Sequence, residues 1–126
     1  MILLAFAHPV TAEQVAQLES LTGQTASRVI HVPIQLDQGE PFAPQLRPLV
    51  DGVGLTAEEW QTEQIVVVPP SFSPITALLL AHLHGRMGYF PPVARLRPVP
   101  GAVPPRFEVG ELLDLAAERA EGRKSR

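Results

Sequence analysis

Short, uninterrupted apolar runs recur along the chain. The run at residues 2–7 contains no polar alternation, which predicts a strand that is covered on both faces. Residues 64–68 are β-branched at four of five positions and predict a second strand. Residues 28–32 and 93–99 predict two more strands, and residues 107–109 predict a short edge strand. Proline, glycine or polar residues bound these runs, as is usual where a strand ends in a turn.

Between these runs, apolar residues recur at the spacing of a helix. Thr11-Ala-Glu-Gln and Thr56-Ala-Glu-Glu are capping-box sequences, so each predicts the start of a helix. A helix between them is expected to open at Pro44 and to end at Gly54, although Pro48 weakens this prediction.

The segment after residue 72 predicts the most apolar helix. Ser73 is expected to be its N-cap, with Pro74 at the first helical position, and Gly85 and Gly88 are expected to end it. Because apolar residues cover nearly its whole circumference, we expect it to be central and packed on several sides. A last, amphipathic helix is expected over residues 111–121.

This alternation of strands and helices is typical of the α/β class. It predicts a small Rossmann-like three-layer sandwich with a mostly parallel four- to five-stranded sheet. With 126 residues, the chain is expected to form one domain over residues 1–121, followed by a basic flexible tail over residues 122–126.

Composition narrows the possible chemistry and location. The chain has no cysteine, which excludes disulfides, thiolate catalysis and cysteine-bound zinc. The start, MILLAFAHP, has no basic region and no small-residue cleavage site, so it predicts a strand and not a signal peptide. No apolar run approaches membrane-spanning length. We therefore expect a soluble cytoplasmic protein with no membrane partner and no cofactor.

The net charge of -3 is unevenly distributed. Residues 1–63 contain eight acidic side chains and two arginines, whereas residues 64–107 contain four arginines and no acidic residue. Overall acidity argues against binding of long nucleic acid, which needs a broad basic face. The acid-free segment is compatible with one small anion, but burial alone also disfavours acidic residues.

The predicted fold places a group of polar and rigid residues at one edge of the sheet. Ligands of open α/β sheets bind outside the carboxyl ends of the strands, where helix N-termini also present free N–H groups. The hydroxyls of this group suit an anion and its phenylalanine suits a stacked base; alternatively, Ser73 only caps its helix. The candidate ligand-binding residues at this edge are His8, Pro9, Thr11, Pro70, Ser71, Phe72, Ser73 and Arg97.

Other motifs are absent or lie at the opposite edge. The chain has no G-x-G-x-x-G, no phosphate-binding P-loop and no nucleophile elbow, which disfavours dinucleotide cofactors and NTP hydrolysis. His82 and His84 are two residues apart on a predicted helix, so they point to different sides and predict no metal site. A possible subunit contact at this far end comprises Arg86, Met87, Tyr89 and Phe90.

Seven short motifs together resemble the Csx-fifteen family of small CRISPR-associated accessory proteins, which accompany type III systems. The motifs are HPVT near the start, RVIHVPIQ, FAPQ, GLTAEEWQ, PPS, HGRMGYFPP and RFEVGE. The similarity extends over residues 1 to about 121, and HGRMGYFPP and GLTAEEWQ are its most specific parts. It implies a Rossmann-like fold related to the CARF domains, which bind cyclic oligoadenylate second messengers.

The resemblance implies a role in antiviral defence. The favoured hypothesis is that the protein sequesters cyclic tetra-adenylate as a homodimer, or as a higher ligand-linked oligomer, with no catalytic residue. One alternative is a metal-independent ring nuclease, in which His8 is the best-placed acid or base. A second is an oligomerising scaffold without nucleotide. Sequestration is favoured because the carboxyl edge has no lysine and one histidine.

Overall fold

The computed structural model describes residues 1–6 and 8–126, which form one five-stranded sheet and five helices. Along the chain these elements are β1 (Ile2–Phe6), α1 (Ala12–Thr22), β2 (Arg28–Val32), α2 (Phe42–Asp51), α3 (Ala57–Thr62), β3 (Ile65–Val68), α4 (Ser73–Met87), β4 (Val93–Pro98), β5 (Phe107–Leu113) and α5 (Leu115–Arg123). Ala7, the predicted last residue of the first strand, lies outside the described residues.

The strand order in the sheet is β2-β1-β3-β4-β5. β1 pairs in parallel with β2 and β3, and β3 pairs in parallel with β4, whereas β5 is antiparallel to β4. The predicted α/β class and mostly parallel sheet are therefore confirmed. Because β1 is flanked by β2 on one side and by β3 on the other, the direction of chain winding reverses between β1 and β3.

The sheet separates two apolar clusters, since successive strand residues point to opposite faces. Ile2, Leu4 and Phe6 of β1 pack with residues of α2, α3 and α4. Leu3 and Ala5 pack instead with Leu18 of α1 and with residues of β4 and β5. All five residues of β1 are buried, as its uninterrupted apolar sequence predicted.

Both capping boxes are present in the structure. The Thr11 hydroxyl accepts from the Gln14 backbone N–H at 3.1 Å, and the Gln14 side chain accepts from the Thr11 backbone N–H at 3.0 Å. Thr56 and Glu59 make the equivalent pair of bonds at the start of α3. These local signals fixed two helix starts correctly because the capping bonds lie within one turn.

Helix α4 departs from its prediction in two respects. It is not packed on several sides, because its buried residues lie along one face, while Ala77, Leu78 and Ala81 on the opposite face are exposed. Gly85 is an interior residue and does not end the helix. Gly88 ends it, with φ of 84°, a left-handed conformation that glycine adopts without steric cost.

The C-terminal part of the chain also differs from its prediction. Residues 107–113 form a full strand, and α5 begins at Leu115 with the Asp114 carboxylate accepting from the Ala117 N–H at 2.9 Å. Pairing with β4 and burial of Val109 outweigh the helical spacing of this segment. The predicted boundary between domain and tail at residue 121 falls inside α5.

Two smaller boundaries are shifted. α2 begins at Phe42, two residues before the expected Pro44, and ends with Gly52 as its C-cap instead of Gly54. Pro48 is accommodated within this helix.

None of the helices formed by residues 1–6 and 8–126 combines the length and apolar character needed to cross a membrane.

Candidate functional site

A cavity of about 820 Å³ opens at the carboxyl ends of β1 and β3. This is the point where the winding direction of the sheet reverses, at which open α/β sheets usually bind ligands. The turn from β1 to α1 and the turn from β3 to α4 form two of its walls. β4 and the segment that enters β5 complete it.

The lining combines a small number of polar groups with a mainly apolar surface. Phe6, Val68, Ala94 and Leu96 come from the ends of the sheet strands. Four prolines contribute rigid walls because their φ angles are fixed. These prolines are Pro9, Pro69, Pro70 and Pro105. The polar and charged lining residues are His8, Thr11, Glu13, Gln14, Ser71, Arg95 and Arg106.

Hydrogen bonds between α1 and β5 close one side of the cavity. The Gln14 Nε2 donates to the carbonyl of Phe107 at 2.9 Å, and the Val109 N–H donates to Gln17 Oε1 at 2.7 Å. Gln14 is only 6% exposed and also accepts from Thr11 in the capping box. One buried side chain therefore connects the β1–α1 turn to the β4–β5 hairpin, which fixes the distance between these two walls.

Each arginine near the cavity faces a carboxylate. Arg95 donates to Glu111 from Nη2 at 2.7 Å and from Nε at 3.2 Å. Arg97 donates to Glu108 from Nε at 3.1 Å. Arg106 Nη1 lies 3.8 Å from Glu13 Oε2, beyond hydrogen-bond length. The two arginines in the lining are therefore paired, but Arg106 only loosely.

The structure brings five of the predicted ligand-binding residues into one cavity and leaves three outside its lining. His8, Pro9, Thr11, Pro70 and Ser71 all line it. The residues outside the lining are Phe72, Ser73 and Arg97.

Of these three residues, Phe72 packs edge-on against Phe42, with 5.8 Å between ring centroids, and remains 43% exposed. Arg97 pairs with Glu108 on the β4–β5 hairpin.

Ser73 does not cap α4 as predicted. The N-cap is Phe72, and no side chain accepts from the first turn. The Thr76 hydroxyl instead donates to the carbonyls of Pro70, at 2.9 Å, and Phe72, at 3.1 Å. The first turn of α4 thus borders the cavity wall without a side-chain cap.

The predicted subunit-contact residues do not form one exposed patch. Met87 is buried in the core, and Phe90 stacks on His84 with 4.4 Å between ring centroids. Arg86 pairs with Asp51 and donates to His82. Tyr89, at 41% exposure, is the main apolar surface of this group.

Sequence reasoning missed the charged residues of the cavity. Arg95 lies two residues before Arg97 on the same strand, and a register irregularity between Arg95 and Leu96 changes how β4 meets β5. Arg106 and Glu13 are distant in sequence and meet only because the hairpin packs on α1. The Pro104-Pro105-Arg106 sequence, a rigid turn followed by a cation, was the available signal for Arg106.

Comparisons with protein-family models, curated proteins and solved structures found no match to this chain. The resemblance to the CRISPR-associated family therefore rests on the sequence motifs alone. Among residues 1–6 and 8–126, no group of three or more histidine or acidic side chains is placed to bind a metal ion.

Proposed function

We propose that the protein binds a cyclic oligoadenylate, probed as cyclic tetra-adenylate, in this cavity and sequesters it, which damps the antiviral signal of a type III CRISPR system. The observation that supports this most directly is the cavity itself. It lies at the winding reversal between β1 and β3 and places guanidinium, imidazole and hydroxyl groups beside apolar walls.

The lining suits the two parts of a nucleotide. Phosphate oxygens accept hydrogen bonds from Arg106, Thr11 and Ser71, and arginine binds phosphate with two parallel N–H bonds. Adenine presents an apolar face, for which Phe107 and the prolines offer a surface. The volume of about 820 Å³ lies within the range of roughly 300–1,000 Å³ that is common for ligand cavities.

The proposal includes a Rossmann-like sandwich, a cytoplasmic location and a homodimer. Cyclic tetra-adenylate has rotational symmetry and four phosphates, so two copies of this chain would offer each contact twice. The exposed face of α4 supports such pairing. Ala77, Leu78 and Ala81 lie on this exposed face, and none of them carries a charge.

A ring nuclease is the second candidate, and the position of His8 in the lining favours it. In that reaction a ribose 2′-oxygen bonds to the adjacent phosphorus and the 5′-oxygen leaves. His8 would accept the 2′-hydroxyl proton or donate one to the leaving oxygen. Positioning and charge stabilisation by arginine would supply the rest.

Calorimetric titration with cyclic tetra-adenylate tests the site. Arg106→Gln is expected to weaken binding by about 10-fold to 150-fold, because a charge-assisted hydrogen bond contributes roughly 1.5–3 kcal/mol. Arg119→Gln removes the same charge from the exposed face of α5 and is the matched control. Equal affinities of the two variants would remove the cavity as the binding site, and absence of binding to the wild type would refute the proposal.

A further inference from the structure

An ion pair lies in the lining of the cavity. Glu13 lies in the first turn of α1, and Arg106 lies just before β5. Their closest charged atoms, Oε2 and Nη1, are 3.8 Å apart, and the two side chains are 61% and 63% exposed. Because both residues line the cavity, a ligand entering it meets this pair.

Both arginines in the lining are already paired with a carboxylate. The charged lining residues are Arg95, Arg106 and Glu13. Arg95 makes two hydrogen bonds to Glu111, whereas Arg106 is paired only at a distance with Glu13. Arg106 is therefore the cation that an incoming anion can engage most easily.

We infer that Glu13 is an internal competitor for the anion site: a phosphate group of the ligand replaces the Glu13 carboxylate beside Arg106. This inference rests on the proposed function, since it takes the cavity to bind an anion, and it identifies the residue that limits the affinity. A phosphate accepts two parallel bonds from a guanidinium, which the distant carboxylate does not. Exposed ion pairs are weak, so the exchange is readily reversible.

Two effects of Glu13 oppose anion binding. Its carboxylate attracts Arg106 away from the ligand, and it also repels a phosphate placed beside Arg106. Removing the charge with Glu13→Gln is expected to tighten anion binding by about threefold to tenfold. The gain should shrink as salt concentration rises, because solvent-exposed charges are screened.

The chain offers a closely matched control. Glu58 occupies the same position after Thr56 as Glu13 does after Thr11, in the second of two capping boxes. Glu58→Gln therefore makes the same change in net charge and in helix N-terminal charge, away from the cavity lining. A difference in phosphate affinity between the two variants therefore depends only on where the removed carboxylate lies.

The first experiment titrates inorganic phosphate into the wild type, Glu13→Gln and Glu58→Gln, and follows the Arg106 Nε–H signal by NMR. The expected result is tighter phosphate binding in Glu13→Gln than in the other two proteins. Equal binding by the two variants, or an Arg106 signal that phosphate leaves unchanged in Glu13→Gln, would overturn the inference.

A second titration of the same proteins with cyclic tetra-adenylate separates this inference from the proposed function. If Glu13→Gln tightens phosphate binding while no protein binds the nucleotide, the inference stands and the messenger proposal fails. If all three bind the nucleotide equally, the messenger proposal stands and the role of Glu13 is refuted.

Discussion

Arg86 connects three helices at the opposite edge from the cavity. Its Nε donates to His82 Nε2 at 2.9 Å, and its guanidinium pairs with Asp51 of α2. The guanidinium carbon also lies 5.9 Å from the ring centroid of Trp60 in α3. His82 accepts this hydrogen bond through a ring nitrogen that must be unprotonated, so the arrangement requires a neutral imidazole.

The pKa of His82 is lowered in the folded protein. Burial is the largest cause, followed by the positive charge of Arg86; Asp51 opposes the change and Arg47 adds to it. In the unfolded chain the pKa returns to about 6.5. The resulting stabilisation is complete above that pH and is lost as pH falls through the folded-state pKa.

Stability is therefore expected to decrease as pH falls below about 6.5, and His82→Gln should reduce the decrease. Urea unfolding at several pH values measures it. His84→Gln is the control, because it leaves the bond between His82 and Arg86 intact. An identical pH dependence in His82→Gln and the wild type would contradict this account.

At the scale of elements, α1 stabilises the outer strand of the sheet. β5 has one strand neighbour, β4, and glutamines of α1 bond to its backbone. Gln14 is the side chain most enclosed in this contact. Loss of its amide would leave the Phe107 carbonyl and the Thr11 N–H without these partners, in a partly buried position.

Gln14→Leu is accordingly expected to lower the free energy of unfolding by about 1–3 kcal/mol. It should also accelerate hydrogen exchange at the Thr11 amide. Gln61→Leu on α3, where the amide is exposed and bonds within its own helix, is expected to change stability by less than about 0.5 kcal/mol. If the two variants were equally stable, the connection between α1 and β5 would not contribute as described.

The same contact explains which elements could be predicted from sequence. The strands β1 and β3 and both capping boxes depend on neighbouring residues, so their signals are local. The bond between Gln14 and Phe107 joins residues 93 positions apart, and no local pattern encodes it. Contacts between residues distant in sequence also make β5 longer than predicted, and they place Arg106 at the cavity.

The packing of helix α4 could not be predicted from its sequence. Its apolar circumference predicted packing on several sides, but α2 and α3 cover only one face. Sequence hydrophobicity records that a surface disfavours water, not which molecule covers it. Five of the eight predicted ligand-binding residues meet in the cavity because strand ends can be located from sequence; the direction of Arg97 depended on the hairpin register.

At the scale of the whole molecule, the proposed protein binds the cyclic nucleotide and does not cleave it. The cavity joins proline walls to two arginines and one histidine, and the proposed function takes these groups to retain the nucleotide. A protein that sequesters its ligand must release it slowly and unaltered. A ring nuclease of the same shape would release a linear product.

Native mass spectrometry after one hour with cyclic tetra-adenylate in EDTA tests this claim most directly. The account predicts an intact ring retained on a dimer or a larger assembly of the chain. A linear nucleotide product, or protein with no bound nucleotide, would contradict it.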